Sequence, residues 1–337
     1  MKTKRLNKDQ VKQAGEILRN GGLVGIPTET VYGLAANALD REAVAKIFKA
    51  KGRPMDNPLI VHIADITQLN NLVSSFSKEA QLLAEAFWPG PLTIIMPKSD
   101  DISDEVSAGL DTVAVRYPSN EVARSIIMSA GVPLAAPSAN LSGSPSPTSA
   151  EHVLNDLDGR IDAVVDGGSC KVGLESTVIT VATNPPRLLR PGGITLSQLE
   201  SVLGKVDVDP AVLDKVQPDQ KVSSPGMKYK HYAPKAKVIL IKSSQDKYIE
   251  YVNNNCDKTV AALCYDEDIP YIKTEAISYG KEDDESTQAQ NLFLALREID
   301  NRKQIKTVYA RCPDTEGIGM AVYNRLIRAA GFDIITL

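Results

Sequence analysis

Histidine and cysteine are scarce in this chain of 337 residues, which has three of the first and four of the second. His62, His152 and His231 lie far apart, and none of Cys170, Cys256, Cys264 and Cys312 forms a CxxC pair. A structural zinc site is therefore not expected, and the cysteines read as free, buried thiols. The same shortage leaves little material for a Ser-His-Asp hydrolase, and no GxSxG elbow is present. No GxxxxGK[ST] run occurs, and Gly317-Ile318-Gly319 lacks the third glycine of a dinucleotide turn. Long apolar runs are missing as well, so no membrane span is expected. The start, MKTKRLNKDQ, passes into a polar helical pattern without the apolar core of a signal peptide, and a cytoplasmic location follows. Nor is there an excess of positive charge: 38 basic against 42 acidic residues give a net charge of −4. A general nucleic-acid coat would need a basic face. The 43% hydrophobic and 24% charged content is that of a globular protein long enough for two cores.

Against that acidic background, Lys46–Arg53 (KIFKAKGR) places four cations in eight residues, with no acid between Ala43 and Met55. Such a cluster at a helix end suits a small polyanion, because phosphate or carboxylate oxygens can share several charged donors. A hydroxyl-rich segment, Pro27-Thr28-Glu29-Thr30, precedes it. A second polar loop, Ser138-Ala139-Asn140-Leu141-Ser142-Gly143-Ser144-Pro145-Ser146, follows an apolar strand. Strand-end loops in α/β folds are where ligands settle, although the same residues also make an ordinary capped turn. Arg116 and Arg190 each close a strand; either could clamp a carboxylate or face solvent. His62 interrupts an apolar strand, as a satisfied core histidine also would. Ser176 and Thr177 start a strand or touch a ligand. With no nucleophile in sight, catalysis by positioning and charge stabilisation is the reading that fits, as phosphoryl and nucleotidyl transfer require.

Apolar runs and helical spacing predict strands at 23–26, 59–63, 92–96, 113–117, 134–137, 163–165, 177–181 and 188–190. Helices are expected over 7–20, 40–50, 77–87, 120–130, 149–157 and 195–204. The uneven spacing implies a sheet that is not purely parallel. Residues 205–236 break the pattern. They hold six lysines, four aspartates and four prolines, with Tyr229, His231 and Tyr232 among the cations of SPGMKYKHYAP. This reads as a linker that docks rather than a passive tether. From 237 onward, regular β-α alternation favours a mostly parallel sheet covered on both faces.

Seven ordered segments carry a family likeness: PTETVYGL (27–34), KAKGRPMDNPL (49–59), PGPLTI (89–94), TVAVRYP (112–118), PSAN (137–140), ESTV (175–178) and LRPG (189–192). Together they resemble the YrdC/Sua5 family, threonylcarbamoyl-adenylate synthases of tRNA modification, in its longer two-domain form. The resemblance implies a twisted mixed-sheet YrdC-like α/β domain over 1–204, a linker or lid over 205–236, and a smaller Rossmann-like α/β domain over 237–337. It implies a nucleotidyltransferase that joins L-threonine, bicarbonate or CO2, and ATP into threonylcarbamoyl-AMP with release of pyrophosphate. A partner transferase would then modify tRNA adenosine 37. By the same resemblance Lys51, Arg53, Ser138 and Asn140 form the catalytic set. Arg53, Asn57, Thr112, Ser138, Ser146, Arg190 and Tyr232 would contact ATP, and Thr30, His62, Arg116, Ala136 and Ser176 would hold threonine or its carbamate. Tyr232 would close over the nucleotide. Mg²⁺ would come with ATP, with no metal site of the protein's own. An RNA-binding module and a carbamoyl-transfer maturation factor stand as the alternatives.

Overall fold

The computed structural model describes residues 2–213 and 232–337; the remainder of the expected linker, 214–231, lies outside them. The chain divides into two compact units. Among the described residues the first comprises 2–142, 146–171 and 175–213, and the second comprises 143–145, 172–174 and 232–337. Two tripeptides that precede position 204 therefore count with the second unit. One of them is held there by Arg297, whose Nη2 donates to the Pro145 carbonyl at 2.6 Å.

The first unit begins with β1 (Lys4–Asn7), α1 (Val11–Arg19), β2 (Val24–Ile26), β3 (Gly33–Asn37), α2 (Arg41–Lys51) and β4 (Ile60–His62). Then come α3 (Lys78–Phe87), β5 (Leu92–Pro97), α4 (Asp104–Ser107), β6 (Thr112–Arg116), α5 (Glu121–Ala130) and β7 (Leu134–Ala135). It closes with α6 (Ala150–Leu157), β8 (Ala163–Asp166), β9 (Thr177–Thr180), β10 (Arg187–Arg190), α7 (Leu196–Leu203) and β11 (Asp207–Val208). Its strands form one sheet in the order β1-β8-β2-β3-β7-β4-β6-β5-β9-β10-β11. The pairing is mixed, as the uneven spacing predicted: β4 runs parallel to β6 and β5 to β9, whereas β5 and β6 are antiparallel. The inner strands VGI and IVH are buried along their whole length. Leu18 of α1, Ile126 and Ile127 of α5, and Ile26 of β2 share one core cluster. Each such side chain contributes about 1.5–3 kcal/mol on burial.

Three strands escape the sequence pattern; one of them, β11, falls at the start of the expected linker and pairs with β10. KRLN in β1 is exposed at three of four positions, because it lies at the sheet edge and pairs only with β8. GLAAN in β3 lacks the β-branched residues that mark strands, yet it is held between β2 and β7. The helix expected from residue 7 accordingly starts later, at Val11.

Local chemistry fixes where α2 delivers its cations. The Asp40 side chain accepts from the backbone N–H groups of Glu42 and Ala43 and so caps the helix start. Val44, Ile47 and Phe48 turn the apolar face inward. Gly52 ends the helix in the left-handed region at φ 61°, a conformation glycine adopts without steric cost, and the chain swings Arg53 off the helix axis. Lys49 and Lys51 fall in the last turn, where the helix dipole favours cations.

The second unit contains β12 (Lys237–Lys242), α8 (Gln245–Asn254), β13 (Val260–Cys264), β14 (Glu275–Ser278), α9 (Glu285–Asn301), β15 (Thr307–Arg311), α10 (Gly319–Ala329) and β16 (Ile334–Thr336). Its sheet has the order β14-β13-β15-β12-β16, and every pairing is parallel. That matches the alternation of the sequence. A buried ion pair between Arg311 and Asp268, at 2.5 Å, fixes the carboxyl end of β15.

Gly192, in the LRPG segment, presses against the backbone of residues 175–177. A Cβ there would meet the Thr177 nitrogen and, at 2.7 Å, the Glu175 carbonyl oxygen. Gly192→Ala should cost the first unit roughly 1–3 kcal/mol through forced backbone displacement. Trp88, the chain's single tryptophan, lies in this unit, so its fluorescence during urea unfolding reads the change directly. An unchanged midpoint would mean that the contact carries no strain.

Candidate active site

The first unit gathers the sequence-predicted residues into two adjoining clusters. One is built at the ends of β4 and β6. His62 and Arg116 are register partners on these parallel strands, and Thr93 of β5 faces Arg116 from the other side. The loop after β2 brings Thr28, Glu29 and Thr30 over them, all three buried. Arg116 Nη1 donates to Thr30 Oγ1 at 2.8 Å, and Nη2 lies 2.7 Å from Glu29 Oε1. The Thr28 and Thr30 hydroxyls are 2.9 Å apart. Arg116 Nε and Glu29 Oε2 are buried with no hydrogen-bond partner. A buried charged group left short of partners costs about 1–3 kcal/mol or more, so these atoms mark a place made for something else.

Burial pushes the Glu29 carboxyl up, but the charge and hydrogen bonding of Arg116 outweigh it and hold the group below the usual carboxylate range. Glu29 is thus an anion. Burial, reinforced by the Arg116 charge, depresses His62 from 6.5 to about 3, so its imidazole is neutral. With Nδ1 3.2 Å from the Ile60 carbonyl and donating to it, Nε2 is left as an acceptor. The same Ile60 carbonyl accepts the Ala136 N–H at 2.9 Å, which ties Ala136 to this cluster. Ser176, just before β9, completes it. Its hydroxyl is 2.7 Å from Thr93 Oγ1 and accepts from Arg190 Nη2 at 3.1 Å, while Arg190 Nε donates to the Ser176 carbonyl at 3.0 Å. Cys170 lies nearby as an inert thiol, pushed up to about 12 mainly by burial.

The second cluster joins α2 to the loop after β7. Lys51, only 3% exposed, donates its Nζ to the Ser138 carbonyl, to the Asn140 carbonyl at 2.7 Å, and to Asn140 Oδ1 at 3.4 Å. In return Ser142 N donates to the Lys51 carbonyl at 3.0 Å. Arg53 reaches the Asn57 carbonyl at 3.2 Å, and the Asn57 amide is itself buried with neither its oxygen nor its nitrogen hydrogen-bonded. Ser146 is buried and donates to Glu175 Oε1. The two clusters share one strand of chain, since Tyr32 N donates to the Pro147 carbonyl at 2.8 Å and Ala139 N to the Tyr32 carbonyl at 2.8 Å.

Thr112 and Tyr232 are the remaining predicted residues. Thr112 begins the strand that Arg116 ends, which puts it about 13 Å along β6. Tyr232 belongs to the second unit, where its ring is buried 5.2 Å from that of Phe293, with Arg325 Cζ 5.9 Å from the ring centre. Glu29 and Glu175 are acids that the motif reading passed over. A single carboxylate inside an otherwise neutral hydroxyl segment was the available signal for Glu29.

The lysine-organised loop suits an anion, and the buried arginine beside it suits a small carboxylate. A family model for Sua5, YciO and YrdC proteins, described as "Telomere recombination", matches residues 16–192. The model of the C-terminal domain of threonylcarbamoyl-AMP synthase matches residues 194–331. The threonylcarbamoyl-AMP synthase of Pyrococcus abyssi is 45% identical over 340 residues, spanning 98% of this chain and 97% of that protein. The Bacillus subtilis enzyme of the same name is 46% identical, with 98% and 95% covered. The crystal structure of P. abyssi Sua5 complexed with L-threonine superimposes with a TM-score of 0.92 at 43% identity, covering 100% of both chains. This chain belongs to the YrdC/Sua5 family, in its two-domain form.

The His62 pocket makes stability depend on pH. The unfolded imidazole takes a proton near 6.5, whereas the folded one resists until about 3. Folding stability therefore falls as pH drops through that window, by about 1.4 kcal/mol per unit from this residue. Urea midpoints read from Trp88 should decline from pH 6.5 to 4.5 more steeply in the unsubstituted protein than in His62→Gln. Equal slopes in the two proteins would contradict a neutral, buried imidazole.

Proposed function

We propose that this chain is an L-threonylcarbamoyladenylate synthase. It uses L-threonine, bicarbonate or CO2, and ATP, releases pyrophosphate, and supplies a partner transferase that modifies tRNA adenosine 37. The observation that carries this reading is the junction of the two clusters: a buried arginine with unused donors lies beside a lysine-organised loop, as an amino acid and a triphosphate would require. Full-length similarity to proteins named for this activity supports it.

On this reading the open edge of Arg116, Nε with Nη2, takes the threonine carboxylate through two parallel hydrogen bonds. Thr30, Ser176 and the acceptor nitrogen of His62 surround the rest of the amino acid, with Ala136 lining the pocket. The ammonium and bicarbonate combine to give the carbamate and H3O⁺: a C–N bond forms and the C–OH bond breaks. A carbamate oxygen then attacks the α-phosphorus, and the bond from that phosphorus to the bridging oxygen of pyrophosphate breaks. No covalent intermediate on the protein is needed.

Lys51 and Arg53 offset charge as pyrophosphate departs. Asn57, Ser138, Ser146 and Arg190 hold the nucleotide, with Asn140 fixing the loop. Thr112 and Tyr232 enter the nucleotide site only by resemblance. Mg²⁺ would arrive on the triphosphate and supply further charge neutralisation. Residues 214–231 lie outside the described structure, and the proposed lid role of the linker rests on their sequence alone.

Mass-spectrometric detection of threonylcarbamoyl-AMP, dependent on all three substrates, tests the proposal. Arg53→Ala or Lys51→Met should lower its formation by about two to three orders of magnitude. Product formed equally well without threonine or bicarbonate would overturn the assignment, and near-normal turnover in either variant would remove that residue from the centre.

A further inference from the structure

We propose that Glu29 binds the amino group of the substrate, making the Glu29–Arg116 pair a complement to a zwitterion. This deepens the reading above and rests on it. Three features of the pocket carry it. The Glu29 carboxylate is anchored on one oxygen only: Oε1 lies 2.7 Å from Arg116 Nη2 and accepts the Ser119 N–H at 3.2 Å. Its other oxygen, Oε2, is buried and has no hydrogen-bond partner. Beside it, Arg116 Nε is likewise buried and unpartnered, while the far side of the guanidinium is committed to Thr30.

A free α-amino acid carries a carboxylate and an ammonium two bonds apart. A carboxylate seated on the open edge of Arg116 therefore brings its ammonium next to whatever shares Nη2, and that neighbour is Glu29. The charges also balance. Arginine and glutamate are neutral as a pair, as is the zwitterion, so no net charge is buried when the ligand enters. An arginine alone would satisfy the carboxylate and leave the ammonium uncompensated in a pocket that excludes water.

The arrangement continues to fit once the amine has been carbamoylated. One N–H remains on that nitrogen, and Oε2 can still accept it. The new carbamate oxygens are repelled by the Glu29 carboxylate, which turns them away from it. Glu29 in this role is a substrate-binding residue that orients the nucleophile. Structural support of Arg116 alone would give a different result in the following test.

The test compares L-threonine with (2S,3R)-2,3-dihydroxybutanoate, in which a hydroxyl replaces the amine, by titration calorimetry. The unsubstituted protein should favour threonine by roughly 30-fold or more, the scale of a charged hydrogen bond. Glu29→Gln should shrink that preference to about threefold or less, with ATP affinity unchanged within about twofold, as a neutral amide cannot hold the ammonium. A fall in affinity for both ligands with the preference retained would overturn the inference, because Glu29 would then serve only to hold Arg116.

If Glu29→Gln fails to fold, a crystal structure of the unsubstituted protein with L-threonine decides. A ligand nitrogen within about 3.2 Å of a Glu29 oxygen upholds the inference, and one beyond about 4 Å overturns it. Failure of the unsubstituted protein to bind threonine at all would count against the synthase reading itself and so be told apart from failure of the Glu29 assignment.

Discussion

The ammonium of Lys51 is the tie on which the centre depends. It sits at the last turn of a helix, almost wholly buried, and donates to main-chain carbonyls 87 and 89 residues further along. A buried ammonium must be hydrogen-bonded or it will not stay charged, and carbonyls at the start of a turn need donors in the same way. Each requirement meets the other here. The consequence is geometric: the loop carrying Ser138 and Asn140 is fixed at the end of α2, where Gly52 has just turned Arg53 outward. Hydroxyls, a carboxamide and two cations thus share one place although they are far apart in the chain.

The neighbouring pocket works by a different balance. Arg116 is permanently charged, and its surroundings would be intolerable without Glu29. That carboxylate satisfies part of the guanidinium and leaves part of it open. His62, held neutral by burial and by the same arginine, adds an acceptor without adding charge. The pocket is therefore prepared for a small polar molecule with both signs of charge. It is joined to the Lys51 cluster through the strand of chain around Tyr32, which bonds to Pro147 on one side and Ala139 on the other.

Much of this was legible in the sequence because the apolar strands are short, buried and bounded by turn residues, as at Ile60–His62, Leu92–Pro97 and Val260–Cys264. The cationic run at 46–53 and the hydroxyl loop after β7 could be seen as candidates for anion binding. Their union came only from the family resemblance, since Lys51 meets Ser138 through tertiary packing that no local pattern shows. Strand β1 was hidden because a charged edge strand lacks an apolar pattern, and β3 because Gly and Ala carry little strand signal. Glu29 was hidden for a related reason. A carboxylate beside threonines looks like solvated surface until Arg116, 87 positions away, is folded over it. Tyr232 lies at the start of the described part of the second unit with its ring beside Phe293, a placement that no pattern in the linker sequence signals.

The parallel sheet of the second unit is self-contained, with its own core around Ile241, Tyr248 and Cys264 and a buried Arg311–Asp268 pair. None of the hydrogen bonds described for Lys51 involves β12–β16, so a change at Lys51 should leave the exchange of that sheet as it was. Amide hydrogen exchange of the unsubstituted protein and Lys51→Met measures this directly, because methionine keeps the stem and removes the charge. Exchange across 138–142 should quicken by about tenfold or more in the variant, as expected for loss of a charged hydrogen bond, while the second sheet stays unchanged. Equal protection of 138–142 in both proteins would contradict the role assigned to Lys51.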